Sequence, residues 1–519
     1  MASRVLRKIK TTLQISSNDD YTIAPAGLRW RSNTLFILST VAVGLFTDLF
    51  LYGLVIPILP YMLQDRLGIP ADQIQSHVDG LLVAYAGASV LFSPAAGYIA
   101  DQTSTRQAPF LAGLLTLVLA TLLLFVGTNV PTLVVARILQ GISAGFVWTI
   151  GLAMCLETVG PENLGKTIGS IFSFISVGSF MAPLLGGVLY AKAGINGVLG
   201  LGIAILIVDL IMRAIVIEKK VARRYYDSAA LHGTQEDEDE NRGEAEHQRQ
   251  ADDQPADEAD EEQPLLPHLA HERKKEQEDF KLARDQPRLA RKLTILPCLR
   301  SPRLLTALLV ALIQAALLGS FDATVPATAQ ELFGLDSLRA GLLFLPLGAC
   351  DLVVGPLAGW FVDRYGTKPG AVLGYTFLVP VLVLLRLPHS VEEGGGGSQQ
   401  QQQQQVLLYG GLLALCGVGL AVIGAPSIVE SGSVVQKYYD ANPEFFGDQA
   451  PYAQLYGLNS MVFSLGLTVG PALAGELKQK MGYGNMNVVL AGISLGTALL
   501  CLVWLGGKPG FLLRRRGRA

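Results

Sequence analysis

Charge is what this sequence has least of. Asp, Glu, Lys and Arg make up 16% of its 519 residues, against 50% hydrophobic residues, and the mean hydropathy is +0.40. Soluble domains carry about a quarter of their residues as charges, so this balance points to a membrane protein. Cysteine is scarce as well. Cys155, Cys350, Cys416 and Cys501 lie in or at the ends of apolar runs and Cys298 near the start of another. They show no pairing or metal-ligand spacing, which excludes a disulfide framework and a zinc site. No phosphate-binding loop of the Walker type occurs, so ATP-driven pumping is disfavoured. Without a nucleophile elbow or a metal-binding pair, no hydrolytic chemistry and no enzyme are expected. The polar N-terminus lacks the short apolar core and small-residue cleavage site of a signal peptide. The net charge of -3 is concentrated in a few segments, none of which suggests nucleic acid.

What is present is a series of apolar runs long enough to cross a bilayer, which takes about 20 residues each. The first, Leu35 to Leu63, carries Asp48 almost at its centre. An aspartate at mid-membrane costs about 2.5 to 3.5 kcal/mol by insertion scales, so Asp48 is the first functional candidate. Tyr52 follows one turn on, and Pro57 and Pro60 are expected to bend the outer half of the helix, where only protein or a water-filled cavity can satisfy the freed carbonyls. Runs of similar kind continue to Ile217, six in all, and six more follow from about Leu304 to Leu505.

This predicts an all-α membrane protein of about twelve transmembrane helices in two six-helix halves. The divisions are a tail over 1–33, a first half over 34–217, a linker over 218–300, a second half over 301–507 and a basic tail over 508–519. Lys and Arg in the short flanks, among them Arg106, Lys166, Arg364, Lys368 and Lys437, fall with both tails on one side, which predicts cytoplasmic termini. The stretch Gln235 to Gln263 is dense in Asp and Glu with almost no aliphatic residues, so the linker is expected to be disordered. Inside it, Glu261, Leu265 and Leu266 have the form of an acidic dileucine sorting signal, which sorting adaptors would read, or are simply two leucines in a tail. The signal reading favours a vacuolar or vesicular membrane over the plasma membrane. The low-complexity patch Gly394 to Gln405 reads as a flexible loop.

The same short pattern recurs at the same place in each half. After the second run stand Gly97, Asp101 and Arg106; after the eighth stand Gly359, Asp363, Arg364, Gly366 and Lys368. The glycine allows helices to approach closely, and the aspartate can pair with a loop arginine or face the positive N-terminus of a neighbouring helix. Such a latch can be made in one conformation and broken in another.

These residues resemble the signature of the major facilitator superfamily, and the chain looks like a twelve-helix drug:proton antiporter of that superfamily. The loop pattern is nearly complete in the second copy and degraded in the first, where Gln102 and Ser104 replace arginine and glycine. Arg137 to Gly141 resembles the motif whose buried arginine is linked to proton transfer. Gly178 to Gly187, with Ala182, Pro183 and Gly186, resembles the antiporter signature of span five, and Gly470 and Pro471 echo it in span eleven. Thr47 to Pro60 and Ala136 to Ile142 resemble the vesicular amine transporter branch and its fungal relatives. Where that branch's monoamine carriers have a lysine in span two and an aspartate in span eleven, this chain has Tyr85 and Asn459-Ser460.

The resemblance implies secondary active transport of a small organic, cationic amine- or drug-like substrate in exchange for protons, driven by the proton gradient with no cofactor and no metal. The intramembrane charges Asp48, Asp322, Asp351, Arg137 and Glu430 are the candidates for substrate and proton binding, with Tyr52, Tyr85, Trp148 and Phe321 available to an organic cation. Asp209 and Arg213, four residues apart, read as an intrahelical pair with Arg213 reaching toward the interface. A monomer in a lipid bilayer suffices. A uniporter or symporter on the same fold, or a non-transporting receptor working through the linker, are the alternatives.

Overall fold

In the computed structural model, the described residues are 25–55, 58–59, 62–103, 105–228, 280–283, 286–335, 339, 342–388, 399–447 and 450–506. They are helical almost throughout, with no strand among them. In the first half α1 is Thr34–Val55, α2 Ala71–Gln102, α3 Gln107–Val126 and α4 Val130–Val159. The next helix, Leu164–Ile215, is divided at Gly194 (φ 61°, ψ -160°) into α5 (164–193) and α6 (195–215). The second half repeats the plan. There α7 is Pro302–Phe333, α8 Phe344–Tyr365 and α9 Thr367–Leu384, while α10 runs through Gln399–Gly424 and on through Pro426–Ala441. Tyr452–Trp504 is divided at Gly482 (φ 81°, ψ 163°) into α11 (452–481) and α12 (483–504).

Eleven helices are long and apolar enough to cross a membrane. The helix of 53 residues would be about 80 Å long, far more than a bilayer, so its break makes it two spans and the total twelve. Both breaks need a φ and ψ that only glycine adopts readily, and they fall between the fifth and sixth helix of each half. The protein is a multi-pass membrane protein with two similar halves.

Twelve spans put 25–33, the 219–300 connection and the end of α12 on one side, here called the terminal face. Lipid offers no hydrophobic drive between helices, so small residues set how closely they pack. Gly178, Ala182 and Gly186 of α5 lie against Phe46, Gly53 and Leu54 of α1, and Gly466 and Gly470 of α11 lie against Leu312 and Ala316 of α7. The antiporter-like stretch and its echo therefore form equivalent contacts, each against the first helix of its own half. Pro183 and Pro471 both sit inside helices at these contacts, against Gly53 and Gly319. Gly187 faces open space and takes no part.

Several sequence expectations need correction. The connection is ordered at both ends. Residues 219–228 are helical, with Val221 and Ala222 buried, and Phe280, Ala290, Ile295 and Cys298 are buried beneath the terminal face. Each end carries enough apolar side chains to pack, unlike the acidic middle. Gln399–Gln405 begins α10 and is not a loop, in keeping with the helix propensity of glutamine. Arg213 is wholly buried, held bidentately by Asp209 at 2.7 Å with its guanidinium 3.8 Å from the Phe110 ring centroid, and reaches no interface. The helix carrying Asp48 ends at Val55; Pro57 and Pro60 lie outside the described residues, as do Glu261, Leu265 and Leu266.

Candidate functional site

The centre of the molecule is built on α1, α2 and α4, with α7 and α11 facing them. Asp48, on α1, is fully buried, and one of its oxygens accepts the indole N–H of Trp148 (α4) at 3.2 Å. Its other oxygen, Oδ1, has no partner among the described residues. Trp148 also stacks against Phe463 of α11 with ring centroids 6.5 Å apart, so the side chain bonded to Asp48 touches the other half. One turn above Asp48, Tyr52 stacks on Tyr85 of α2 at 4.7 Å. Arg137 of α4 lies behind Tyr52, its guanidinium carbon 5.8 Å from the ring centroid, and gives one hydrogen bond to Gln140 at 2.8 Å. Asp322 is solvent-exposed although midway along α7, and it acts electrostatically on Tyr52 across the gap between the halves. Asp48, Tyr52, Tyr85, Arg137 and Asp322 thus form one polar cluster inside an apolar bundle.

Two other sequence candidates lie elsewhere. Asp351 is in the seam between α8 and α5, where it accepts from Ser176 at 2.5 Å while its backbone carbonyl accepts from Ser173 at 2.6 Å. Glu430 lies near the terminal face within the second half. It takes Arg303 at 2.7 and 2.9 Å, the Gly506 N–H at 3.0 Å and the Thr367 hydroxyl, tying together the ends of four helices. With every lone pair engaged it has the surroundings of a structural carboxylate. Phe321 is a core residue of the second half.

At the terminal face the repeated motifs join the halves. The Asp101 carboxylate, at the end of α2, accepts the N–H groups of Ala453 and Gln454 at 3.2 and 2.9 Å, in the first turn of α11. Asp363, at the end of α8, accepts those of Gly165 and Lys166, both at 2.7 Å, in the first turn of α5. Each carboxylate satisfies donors that a helix start leaves open and meets the positive end of the helix dipole. Gly97 and Gly359, one turn earlier, lie against the carbonyls of Ala453 and Gly165, where a Cβ would collide with backbone. In the first copy Arg106 bridges Asp101 at 2.9 Å and Glu157 at 2.7 Å. Burial alone would disfavour its charge, but Glu157 and Asp101 outweigh that and raise its pKa. In the second copy Arg364 sits over Trp360 instead, 5.8 Å from the ring centroid, Gly366 (φ 94°) ends α8, and Lys368 is half-buried at the start of α9. Among the described residues, hydrogen bonds between the halves run from mid-helix, Ser89 to Ser464 and Ser176 to Asp351, down to these latches. The halves are closed together on the terminal side.

The partners of the two latch aspartates were not evident from the motif itself. Gly165 and Gly169, one turn apart on α5 against Gly359 and Gly355, are the sequence signal that would have located one of them.

The geometry agrees with comparisons to known proteins. The family model "Major Facilitator Superfamily" matches residues 41–439. The chain belongs to the major facilitator superfamily. It is 42% identical over 496 residues to the MFS-type transporter ppzB of Metarhizium rileyi, covering 94% of this chain and 99% of that one. It is 34% identical to the uncharacterized MFS-type transporter C18.02 of Schizosaccharomyces pombe, over 91% of this chain and 96% of that one. A probable vesicular acetylcholine transporter-B of Danio rerio is 33% identical over 30% of this chain and 33% of its own length. Among solved structures, the human organic anion transporter MFSD10 superposes with a TM-score of 0.56 at 17% identity, covering 90% of this chain and 99% of that one, which bears on the fold alone. The protein is a transporter of this superfamily.

Proposed function

We propose that the protein is a proton-coupled antiporter that exports or sequesters a small organic, cationic amine- or drug-like substrate. The observation that carries this reading is Asp48: a fully buried carboxylate with one oxygen unpartnered, at the level of the gap between the halves. A carboxylate in a poorly solvated site holds either a proton or a cation and seldom neither, so the two compete for it. Competition at Asp48, with Asp322 on the facing helix as a second station, becomes exchange when the halves rock about the site. Trp148 links the two events, since it is bonded to Asp48 and stacked on Phe463 of the other half. The latches at Asp101 and Asp363 would break and re-form in each cycle.

The partial likeness to vesicular acetylcholine transporters supports an organic cation as cargo. The proton gradient supplies the energy, and no cofactor enters the cycle. With the terminal face in the cytosol, as the Lys and Arg distribution implies, the closed latches make this an outward- or lumen-facing state. A monomer in a vacuolar or vesicular membrane fits the Glu261 to Leu266 signal read by sorting adaptors. The test is proton movement in vesicles carrying the purified protein, challenged with a panel of amines, drugs and metabolites. Acidification changes driven by at least one amine support antiport; transport of a substrate with no proton movement at any pH refutes it.

A further inference from the structure

Four arginines of this chain are deeply placed, and three of them do the same thing. Arg213 presents Nε and Nη2 to Asp209, both at 2.7 Å; Arg303 presents the same two nitrogens to Glu430 at 2.9 and 2.7 Å; Arg106 presents them to Glu157 at 3.1 and 2.7 Å. That edge carries two parallel N–H donors spaced to match the two oxygens of a carboxylate, which is the strong geometry for this pair. Arg137 is the exception. It is fully buried, its Nη1 is bonded to Gln140, and its Nε and Nη2 have no hydrogen-bond partner among the described residues.

A buried guanidinium with one edge bare is costly, several kcal/mol for an ion taken out of water without a partner. No ion pair to Arg137 occurs among the described residues, and the charged groups acting on it are the hydroxyl-bearing rings of Tyr52 and Tyr85. The unpartnered oxygen of Asp48 belongs to the same cluster, since Asp48 and Arg137 both act electrostatically on Tyr85. The two charges are not paired with each other. Tyr52, half-buried and within electrostatic reach of both Arg137 and Asp322, stands between the arginine and the gap, so a turn of its ring would expose the bare edge.

We infer that the transported molecule carries a carboxylate, which docks side-on against Nε and Nη2 of Arg137 while its cationic group is held by Asp48 or Asp322. The substrate class is then a small amphoteric compound, an amine and an acid on one frame, not a simple amine. This rests on the transporter reading but refines its cargo. It also gives Arg137 a reason to remain uncompensated, because a resident carboxylate partner would compete with the ligand for the same edge.

The experiment uses the full chain in detergent or nanodiscs and three probes on one scaffold: phenylalanine, phenethylamine, which lacks the carboxylate, and 3-phenylpropionate, which lacks the amine. Binding is read as the shift of thermal unfolding midpoint with concentration. The two carboxylate-bearing probes are expected to stabilise the wild type, and phenylalanine more than 3-phenylpropionate. Arg137→Gln should weaken both at least tenfold while leaving phenethylamine unchanged, and Arg137→Lys, a point charge without the fork, should recover part of the loss. Loss of a buried uncompensated charge should not lower the unliganded midpoint of Arg137→Gln, which separates lost binding from lost folding. Failure of both carboxylates to bind up to tens of millimolar, or equal binding by wild type and Arg137→Gln, overturns the inference. Either result can occur with proton-amine exchange intact, so the antiport reading stands or falls separately on proton flux.

Discussion

Asp363 and Gly165 belong to different halves of the chain, and the Asp363 carboxylate accepts the Gly165 N–H at 2.7 Å while Gly359, one turn earlier, lies against the Gly165 carbonyl. Asp101 repeats the relationship with Ala453 and Gln454 on the opposite seam. The latch is therefore a carboxylate capping a helix it does not belong to, made twice by the internal duplication.

Asp363→Asn removes the charge and leaves a single acceptor oxygen for two donors. Hydrogen bonds to charged groups contribute about 1.5 to 3 kcal/mol, so the closed terminal face should lose about tenfold in population. A cysteine placed at Ser173, buried in the α5 to α8 seam, should be labelled about tenfold faster in this variant than in the parent once Cys350 is replaced. An unchanged labelling rate would mean that the capping does not hold the seam.

Gly186 and Gly187 are adjacent and behave oppositely. A Cβ at Gly186 meets the Leu54 carbonyl of α1, whereas nothing lies within 4 Å of one at Gly187. Overpacking of a tight contact costs about 1 to 3 kcal/mol, so Gly186→Ala should lower the unfolding midpoint by several degrees and Gly187→Ala should leave it in place. Thermal unfolding in detergent distinguishes them.

Glu430→Gln tests a residue whose surroundings are structural. Breaking its pair with Arg303 strands a partly buried guanidinium, and the cost is on the order of 3 kcal/mol. Less folded protein is expected, with proton coupling per folded molecule unchanged. Loss of coupling at full stability would return Glu430 to the transport site.

Phe280 is buried at the terminal face and packs edge-on against Tyr438, with centroids 5.0 Å apart. Large-to-small changes of this kind cost about 3 kcal/mol, so Phe280→Ala should destabilise the protein although it lies in the connection between halves. Equal stability would mean that the ordered end of the connection contributes nothing.

The architecture was legible because its signals are long-range in composition and short-range in spacing. Runs of apolar residues mark spans whatever their neighbours do, and the Gly97 to Asp101 spacing, repeated at Gly359 to Asp363, marks a duplicated junction. Gly194 and Gly482 marked nothing on their own, since a glycine among many reveals its positive φ only in the folded chain. The candidate site was legible in part. Asp48, Arg137 and Asp322 stand out as charges in apolar runs and do share one cluster, but Asp351 and Glu430 stand out equally. Only tertiary contact separates them: Ser176 and Arg303 lie 175 and 127 residues away in sequence and occupy these two carboxylates. The bare edge of Arg137 was invisible for the same reason, because a sequence shows that an arginine is present but not which of its nitrogens are engaged.

The central claim is that Asp48 exchanges proton for substrate, and its most direct test is substrate-driven proton movement in vesicles reconstituted with Asp48→Asn at several pH values. Asparagine keeps the size and an acceptor for the Trp148 N–H but cannot titrate, so the protein should fold and insert normally. Proton movement should fall to the level of empty vesicles, and Asp48→Glu should retain part of it with an altered pH dependence. Wild-type coupling in Asp48→Asn at equal protein level would contradict the account.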